Sequence, residues 1–400
     1  MKKILFLTTH NLATNPRLVK EIRLALSLNY TIEVICFEFR NWSRDNNEHL
    51  KKEFIQQGAR FILIEAGKDD LVKWLYSVSG EKVSRLLSKA NISSLRLLAM
   101  AQSRRNLLIR NAIKKATRPD LVIGHNPGAL FATYAAAKKF SCKSGFDIED
   151  YHPGEGDDGM ASRRILQLMC RLLPEMTYVS FASGQIMEQV QKDVPGLSNN
   201  VVLLNYFPSE EFAAPGKVFR DEPVKMIWFS QHISTGRGLE IILDNYDHWK
   251  NTAELHLYGN KTVSADALVP KDLPGVFFHP PLSQKELHLE LSKYDIGLAL
   301  DLAVDRNREL TITNKLLTYF QAGLYIVASA TNAQQSFLQQ YPQHGCCFKN
   351  NEKGFGEAID QVIHNIDSIR AKKTERFESA ISNNWETESR KLALAWQQLF

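Results

Sequence analysis

The sequence predicts an α/β fold built from two doubly wound parallel-sheet domains, on three observations. Short apolar runs alternate with amphipathic helical segments almost from end to end. Several of these runs are β-branched or aromatic without polar alternation, as in strands covered on both faces. The 400 residues, 44% hydrophobic and 23% charged, suffice for two cores and are too apolar for a disordered chain.

In chain order, KILFLT, TIEVICF, RFILIEA, DLVIGHN and SGFDIED read as strands of the first half. VKMIWFS, ELHLYGN, GVFFHPP, DIGLALD and YIVASA read as strands of the second. Between them RLVKEIRLALSL, ALFATYAAAKKF, QKELHLELSK and NKLLTYFQAG carry helical periodicity, which implies right-handed crossovers. NYFPSEEFAAPGKVFRDEP, residues 205–223, combines Pro, Gly and charge without periodicity and marks a boundary. The expected domains are 1–205 and 206–383, with 384–400 an amphipathic helix returning across the domain interface. Open α/β sheets bind ligands at the carboxyl ends of their strands, so the cleft between two facing sheets is the expected site.

Composition excludes several classes. No apolar run reaches the ~20 residues of a membrane span. MKKILFLTTH begins like a signal peptide, but its apolar stretch stops after Leu7, short of roughly 7–15 residues. Cys36, Cys142, Cys170, Cys346 and Cys347 show neither metal-ligand spacing nor an even disulfide set, so a reduced, cytoplasmic protein is expected. The net charge of +5 hides a stretch from Lys82 to Arg118 with ten Lys or Arg and no acid, leaving −5 for the remainder.

The loops after strands carry the candidate chemistry. Asn15 is a plausible N-cap with Pro16 in the first helical turn, and a plain βα turn is the other reading. His125 ends a strand and is followed by Asn126-Pro127-Gly128, where a histidine can act as a base or orient a hydroxyl. Six acids lie between Asp147 and Asp158, around a formal G-x-G-x-x-G at 154–159. Three carboxylates inside that loop would repel a pyrophosphate, which excludes a dinucleotide site. Asp147, Glu149 and Asp150 are instead placed to bind sugar hydroxyls or help a base, a solvated acidic loop being the plainer alternative. In the second half Gly236-Arg237-Gly238 precedes a helix, a suitable diphosphate site. Lys315 stands in the first turn of a helix after Thr311, Thr313 and Asn314. A cation there opposes the macrodipole, so a bound anion would explain it, and a solvent-facing lysine is the alternative.

The order of these motifs resembles retaining GT-B glycosyltransferases of the family-4 type over nearly the whole chain. NPRLVKEIRLALSLNYTIEVI is similar to their first helix and second strand, and PDLVIGHNPGALFATYAAAKK to their acceptor-side strand and helix. IWFSQHISTGRGLEIIL, ELHLYGN, GVFFHPPLSQKELHLELSKYDIGLAL and TNKLLTYFQAGLYIVAS follow their donor domain, and NWETESRKLALAW their returning helix. The resemblance implies that His125 acts near the acceptor, with Asn15, Asn126, Asp147 and Asp150 on the acceptor side. It implies that Arg237 and Lys315 stabilise a leaving diphosphate. Ser230, Gln231, Gly236, Tyr258, Gly259, Asn260, Pro281, Leu282, Glu309, Thr313 and Asn314 would surround the donor, without metal or cofactor. The implied partners are a nucleotide-sugar donor and a glycan or lipid-linked acceptor.

Three positions depart from the family. Leu310 and Thr318 stand where many relatives carry Glu-x7-Glu, with Glu309 adjacent, Ser230-Gln231 where they show Gly-Arg, and Tyr325 where they have Pro. A nucleotide-sugar 2-epimerase and a degenerate scaffold on the same fold are the alternatives. Leucines and isoleucines interleaved with the cations of 82–118 (Leu86, Leu87, Ile92, Leu95, Leu97, Leu98, Leu107, Leu108 and Ile109) suit an interfacial helix pair on an anionic membrane, a buried helix with a basic face being the alternative. No Phe, Tyr or Trp occurs there for base stacking, which argues against nucleic acid.

Overall fold

A computed structural model of the chain describes residues 2–65, 67, 71–89, 94–156, 159–216, 222–262, 268–269, 273–349, 351 and 353–400. The chain divides into two compact units, Met1–Leu204 with Ser389–Phe400, and Asn205–Glu388. The second division falls inside the closing helix Trp385–Leu399.

The described residues of the first unit form a parallel sheet of seven strands. These are β1 Lys3–Thr8, β2 Thr31–Glu38, β3 Arg60–Glu65, β4 Leu121–His125, β5 Lys143–Ile148, β6 Tyr178–Phe181 and β7 Asn200–Val202, in the order β3-β2-β1-β4-β5-β6-β7. Both faces are buried, and the side-chain alternation sorts them. Ile4, Phe6, Val34, Cys36, Leu121 and Ile123 pack on one side with Leu18 and Ile22 of helix Pro16–Ser27. Leu5, Leu7, Ile35, Phe37 and Val122 pack on the other with Ala132 and Ala136 of helix Leu130–Phe140. That two-sided burial is why these runs show no polar alternation.

The second unit repeats the plan with β8 Val224–Ile233, β9 Ala253–Lys261, β10 Val276–His279, β11 Ile296–Ala299, β12 Tyr325–Ser329 and β13 Gly345–Phe348. Their order is β10-β9-β8-β11-β12-β13, all parallel. Its core holds Trp228, Trp249, Leu255, Leu257 and Leu298. In each sheet the strand order reverses beside the first strand, at β1/β4 and β8/β11, the places where doubly wound sheets receive ligands.

Three strands, β6, β7 and β13, were not expected, and β8 runs past its expected end at Ser230 to Ile233. The basic stretch also differs from expectation. Leu98, Leu108 and Ile109 are buried, because helices Leu95–Gln102 and Arg105–Ala112 turn their leucines inward. Ile92 lies outside the described residues. An apolar face is presented instead by helix Leu71–Lys89, where Leu71, Val72, Leu75, Tyr76, Val83 and Leu86 are 54–78% exposed. Among the described residues no helix is long and apolar enough to cross a membrane.

Candidate functional site

Strand register aligns a polar row at the carboxyl ends of the first sheet. Thr8 pairs with His125, His125 with Asp147, and Asp147 with Ser180, across β1, β4, β5 and β6. Above this row lies a cavity of about 470 Å³ lined by Thr9, His10, Thr14, His125, Asn126, Pro127, Asp147, Glu149, Asp150, His152 and Glu155. The expected acceptor-side residues His125, Asn126, Asp147 and Asp150 therefore do meet in one place. Asn126 has φ 68° and ψ 147°, a strained backbone for a non-glycine residue. Its carboxamide holds that turn by accepting from Thr8 Oγ1 at 2.7 Å. Asn15 is the N-cap of helix Pro16–Ser27, its Oδ1 accepting from the Leu18 amide at 3.1 Å, while its Nδ2 donates to Thr8 Oγ1 at 3.3 Å. It is buried and positions the turn, so the expectation that Asn15 touches the acceptor gives way to a supporting role.

The row rests on a buried ion network. Arg17 forks onto Asp147, Nη2 to Oδ1 at 2.6 Å and Nε to Oδ2 at 2.7 Å, and Ser180 Oγ donates to Oδ1 at 2.7 Å. Burial disfavours a charged Asp147, but the Arg17 guanidinium overrides it and holds the carboxyl well below the usual range. Both Asp147 oxygens are thus committed within the protein, and the expectation that it binds a sugar hydroxyl does not fit. His125 Nε2 lies 3.3 Å from Glu21 and Nδ1 3.6 Å from Asp147. Burial opposes its charge, yet the two carboxylates push its pKa up to about 10. The two carboxylates favour the charged ring, so of the two roles expected of His125, base or orienter of a hydroxyl, the geometry suits the second. Glu21, His125 and Asp147 each offer a ligand atom within 4.8 Å of the others. The Arg17 fork on Asp147 makes this an ion-pair network rather than a cation site.

Asp157 and Asp158 of the acidic loop lie outside the described residues. His152 and Glu155 pair at 3.0 Å, and Tyr151 donates to Asp193 at 2.6 Å. Glu149 has no hydrogen-bond or ion-pair partner among the described residues. Burial, partly offset by Arg17 and reinforced by Asp150 and Asp147, raises its pKa to about 7.

In the second unit the expected donor residues occupy three places. Ser230 and Gln231 form a bulge between Phe229 and His232 where β8 pairs with β9. Asn260 Nδ2 donates to the Gln231 carbonyl at 3.2 Å, and a Cβ on Gly259 would stand 2.2 Å from the Ser230 oxygen. These four residues are brought together, and only glycine permits the approach. Tyr258, by contrast, is packed in, stacked on His279 at 4.4 Å with its hydroxyl 2.8 Å from that of Tyr294. The exposed Pro281 and Leu282 leave the sheet beside it, since His279 pairs with Tyr258.

The third place is the start of helix Asn314–Gln321. Lys315 Nζ sits 4.6 Å from the centre of the Trp228 ring, not extended to solvent. Burial lowers its pKa to about 8, with Asp301 opposing and Arg237 and Arg308 adding to the fall. Arg308 reaches Asp301 at 3.2 Å. Trp228, Asp301 and Arg308 were missed from the sequence. Asp301 closes the expected strand DIGLALD, the one available signal. Other expected ligands are turned to structural use. Thr313 caps the helix through the Leu316 amide, Asn314 Oδ1 accepts from Asn205 at 2.8 Å, and Glu309 accepts from the Asn332 amide at 3.1 Å. The Gly236 amide donates to Glu240, so one N–H of the Gly-Arg-Gly turn is already bonded.

No family model and no curated protein matches the chain. Solved structures do. Sucrose-phosphate synthase from Thermosynechococcus elongatus superposes with a TM-score of 0.68 at 12% identity, covering 100% of this chain and 99% of that one. Anabaena HepE in complex with UDP gives 0.66 at 14%, covering all of both chains. Staphylococcus aureus TarM in complex with Fondaparinux, α-GlcNAc-glycerol and UDP gives 0.66 at 12%, covering 100% and 99%. The fold is GT-B.

Thr318, where the resemblance leads one to expect a second glutamate, is buried and donates to the Asn314 carbonyl at 2.7 Å. Leu310, at the first, is buried as well. Tyr325, at the proline position, starts β12, where its ring lies 5.7 Å from the Arg376 guanidinium. The GT-B departures are thus absorbed into packing.

Proposed function

We propose that the chain is a glycosyltransferase that takes its sugar from a nucleoside diphosphate sugar. The observation that carries this reading is Lys315, which feels the charges of Arg237, Arg308 and Asp301, with Arg308 bonded to Asp301. The cations outnumber the carboxylate, and a diphosphate is the anion that would balance them. As the sugar–phosphate bond breaks, charge gathers on the departing diphosphate, and preorganised cations stabilise it. Lysine and arginine can do here what a divalent ion does elsewhere, so the reading needs no metal. HepE and TarM, similar in fold, carry UDP in their complexes, which supports a nucleotide donor. The acceptor we infer is a glycan, free or lipid-linked, of cell-surface polysaccharide or glycolipid assembly. Glu149 and Asp150, which line the first unit's cavity, suit its hydroxyls. Retention of configuration follows the family it resembles.

Thermal shift against UDP, GDP, ADP and their sugars tests the reading, because a ligand of the native state raises Tm with occupancy. One diphosphate is expected to raise Tm, with the rise lost in Arg237→Ala and Lys315→Ala. A degenerate scaffold is the second reading, favoured by buried Thr318 and by the Gly236–Glu240 bond. No shift with any ligand would decide for it.

We also propose peripheral attachment to an anionic membrane through helix Leu71–Lys89. Its exposed apolar side chains lie on the same element as Lys82 and Arg85, at the start of the basic stretch. Flotation should recover the protein with anionic vesicles and not neutral ones, and Val72→Glu with Leu75→Glu should abolish it. Equal recovery from both vesicle types would sink the idea.

A further inference from the structure

The cavity of the first unit holds many ionisable groups, and nearly all are committed. Asp147 is held by Arg17 and Ser180, His125 by Glu21 and Asp147, and His152 by Glu155. His10 is pushed below its usual pKa by burial, then by Arg105 and His152, which favours a neutral ring. Glu149 is different. It follows the end of β5, lines the cavity, and has no hydrogen-bond or ion-pair partner among the described residues.

We infer that Glu149 is the catalytic base that takes the proton of the acceptor hydroxyl. This rests on the glycosyl-transfer reading. In the step, the acceptor O–H bond breaks and its proton passes to a Glu149 carboxylate oxygen. The acceptor oxygen bonds to the anomeric carbon on the same face from which the phosphate leaves, so configuration is retained, and the bond from that carbon to phosphate breaks, its electron pair leaving on the nucleoside diphosphate. The arrangement suits a base in two ways. A carboxylate without an internal partner keeps its lone pairs for a substrate, whereas the Asp147 fork spends them. The charged groups around it tune its proton affinity from several elements. Asp147 on β5 and Asp150 beyond it favour protonation, while Arg17 of helix Pro16–Ser27 and His125 of β4 oppose it. His10, His152 and Glu155 line the same cavity. Burial together with the two carboxylates leaves the acid near neutrality, where a base both holds its charge and accepts a proton readily.

The test uses the full chain with UDP-glucose, UDP-galactose, UDP-N-acetylglucosamine and GDP-mannose, taking whichever of these binds. Release of nucleoside diphosphate is followed from pH 5.5 to 9 with water as the acceptor. Wild-type release should climb as pH rises through about 7. Glu149→Gln should bind the same nucleotide with unchanged affinity, release it on the order of 100-fold more slowly, and lose the pH limb. Glu149→Ala should regain part of its rate in sodium formate, which a merely structural loss would not allow. Full activity with an unchanged pH limb in Glu149→Gln would overturn the assignment and leave the transferase reading standing. A rate lost in Glu149→Ala and not restored by formate would overturn it too. A wild-type protein that binds none of the four would remove the reading itself, and this role with it.

Discussion

His125 lies buried between two carboxylates, Glu21 and Asp147. Its place after a strand was legible, because a polar residue closing an apolar run is a local signal. Its partner was not, since Glu21 sits on a helix more than a hundred positions away in the chain. That partner selects between the roles expected of the ring. Arg17 and His125 as cations balance Glu21 and Asp147 as anions, all four buried. The histidine pKa is about 10 folded, against 6.5 for an unperturbed ring. A base whose pKa is raised on folding stabilises fully below its unfolded pKa and loses that stability as pH climbs to its folded one. Wild-type stability should therefore decline between about pH 6.5 and 10, measured by urea unfolding. His125→Gln strands Glu21 and should cost roughly 3–5 kcal/mol at neutral pH, while removing that slope. A decline between about pH 6.5 and 8 no steeper in wild type than in His125→Gln would mean a neutral His125.

At the scale of elements, the strands that were legible are those whose apolar residues stand between clear breaks with a helical segment following. β6 as YVSF, β7 as NVV and β13 as GCCF are too short to give a period, and only their neighbours in the sheet define them. The bulge in β8 was hidden for a related reason. Ser230 and Gln231 look like a loop after MIWFS, but the chain resumes pairing at His232 opposite Asn260. Helix starts fared better, because a cap is a contact over three residues. Asn15 caps and Pro16 opens the helix as their side-chain chemistry indicated, and the start at Asn314 follows the polar loop of Thr311 and Thr313. The same caps occupy the side-chain oxygens of Asn15 and Thr313: an oxygen at a strand–helix turn can serve either the helix or a substrate. Interleaved leucines and cations describe a buried and an interfacial helix equally well, and the two separate within the basic stretch, where Leu98 and Leu108 are buried while Leu86 is exposed.

For the whole molecule, the closing helix makes the clearest demand on the fold. Residues 389–400 belong to the first unit, although the chain leaves that unit at Leu204. Leu392 and Trp396 enter the core formed by Ile4, Phe6, Val34 and Leu121. Trp396 is fully buried, meets Phe6 edge-on with ring centres 6.4 Å apart, and donates from Nε1 to the Tyr178 hydroxyl at 2.9 Å. The first unit is therefore incomplete until the last residues of the chain are in place. Trp396→Ala removes a buried indole and should cost about 3–5 kcal/mol. At roughly 2–4 °C per kcal/mol for a unit of this size, Tm of the first unit should fall by at least about 6 °C. Trp396→Phe keeps most of the packing and loses the hydrogen bond, so it should cost about 1–2 kcal/mol. Calorimetry separates the outcomes, with the transition assigned by the Tyr178 environment in near-ultraviolet dichroism. An alanine variant as stable as wild type would mean that the closing helix only rests on the unit. A lowered first transition, with nucleotide-induced stabilisation of the second unit retained, would show that the chain's last turns complete the acceptor-side core and leave the charges around Lys315 intact.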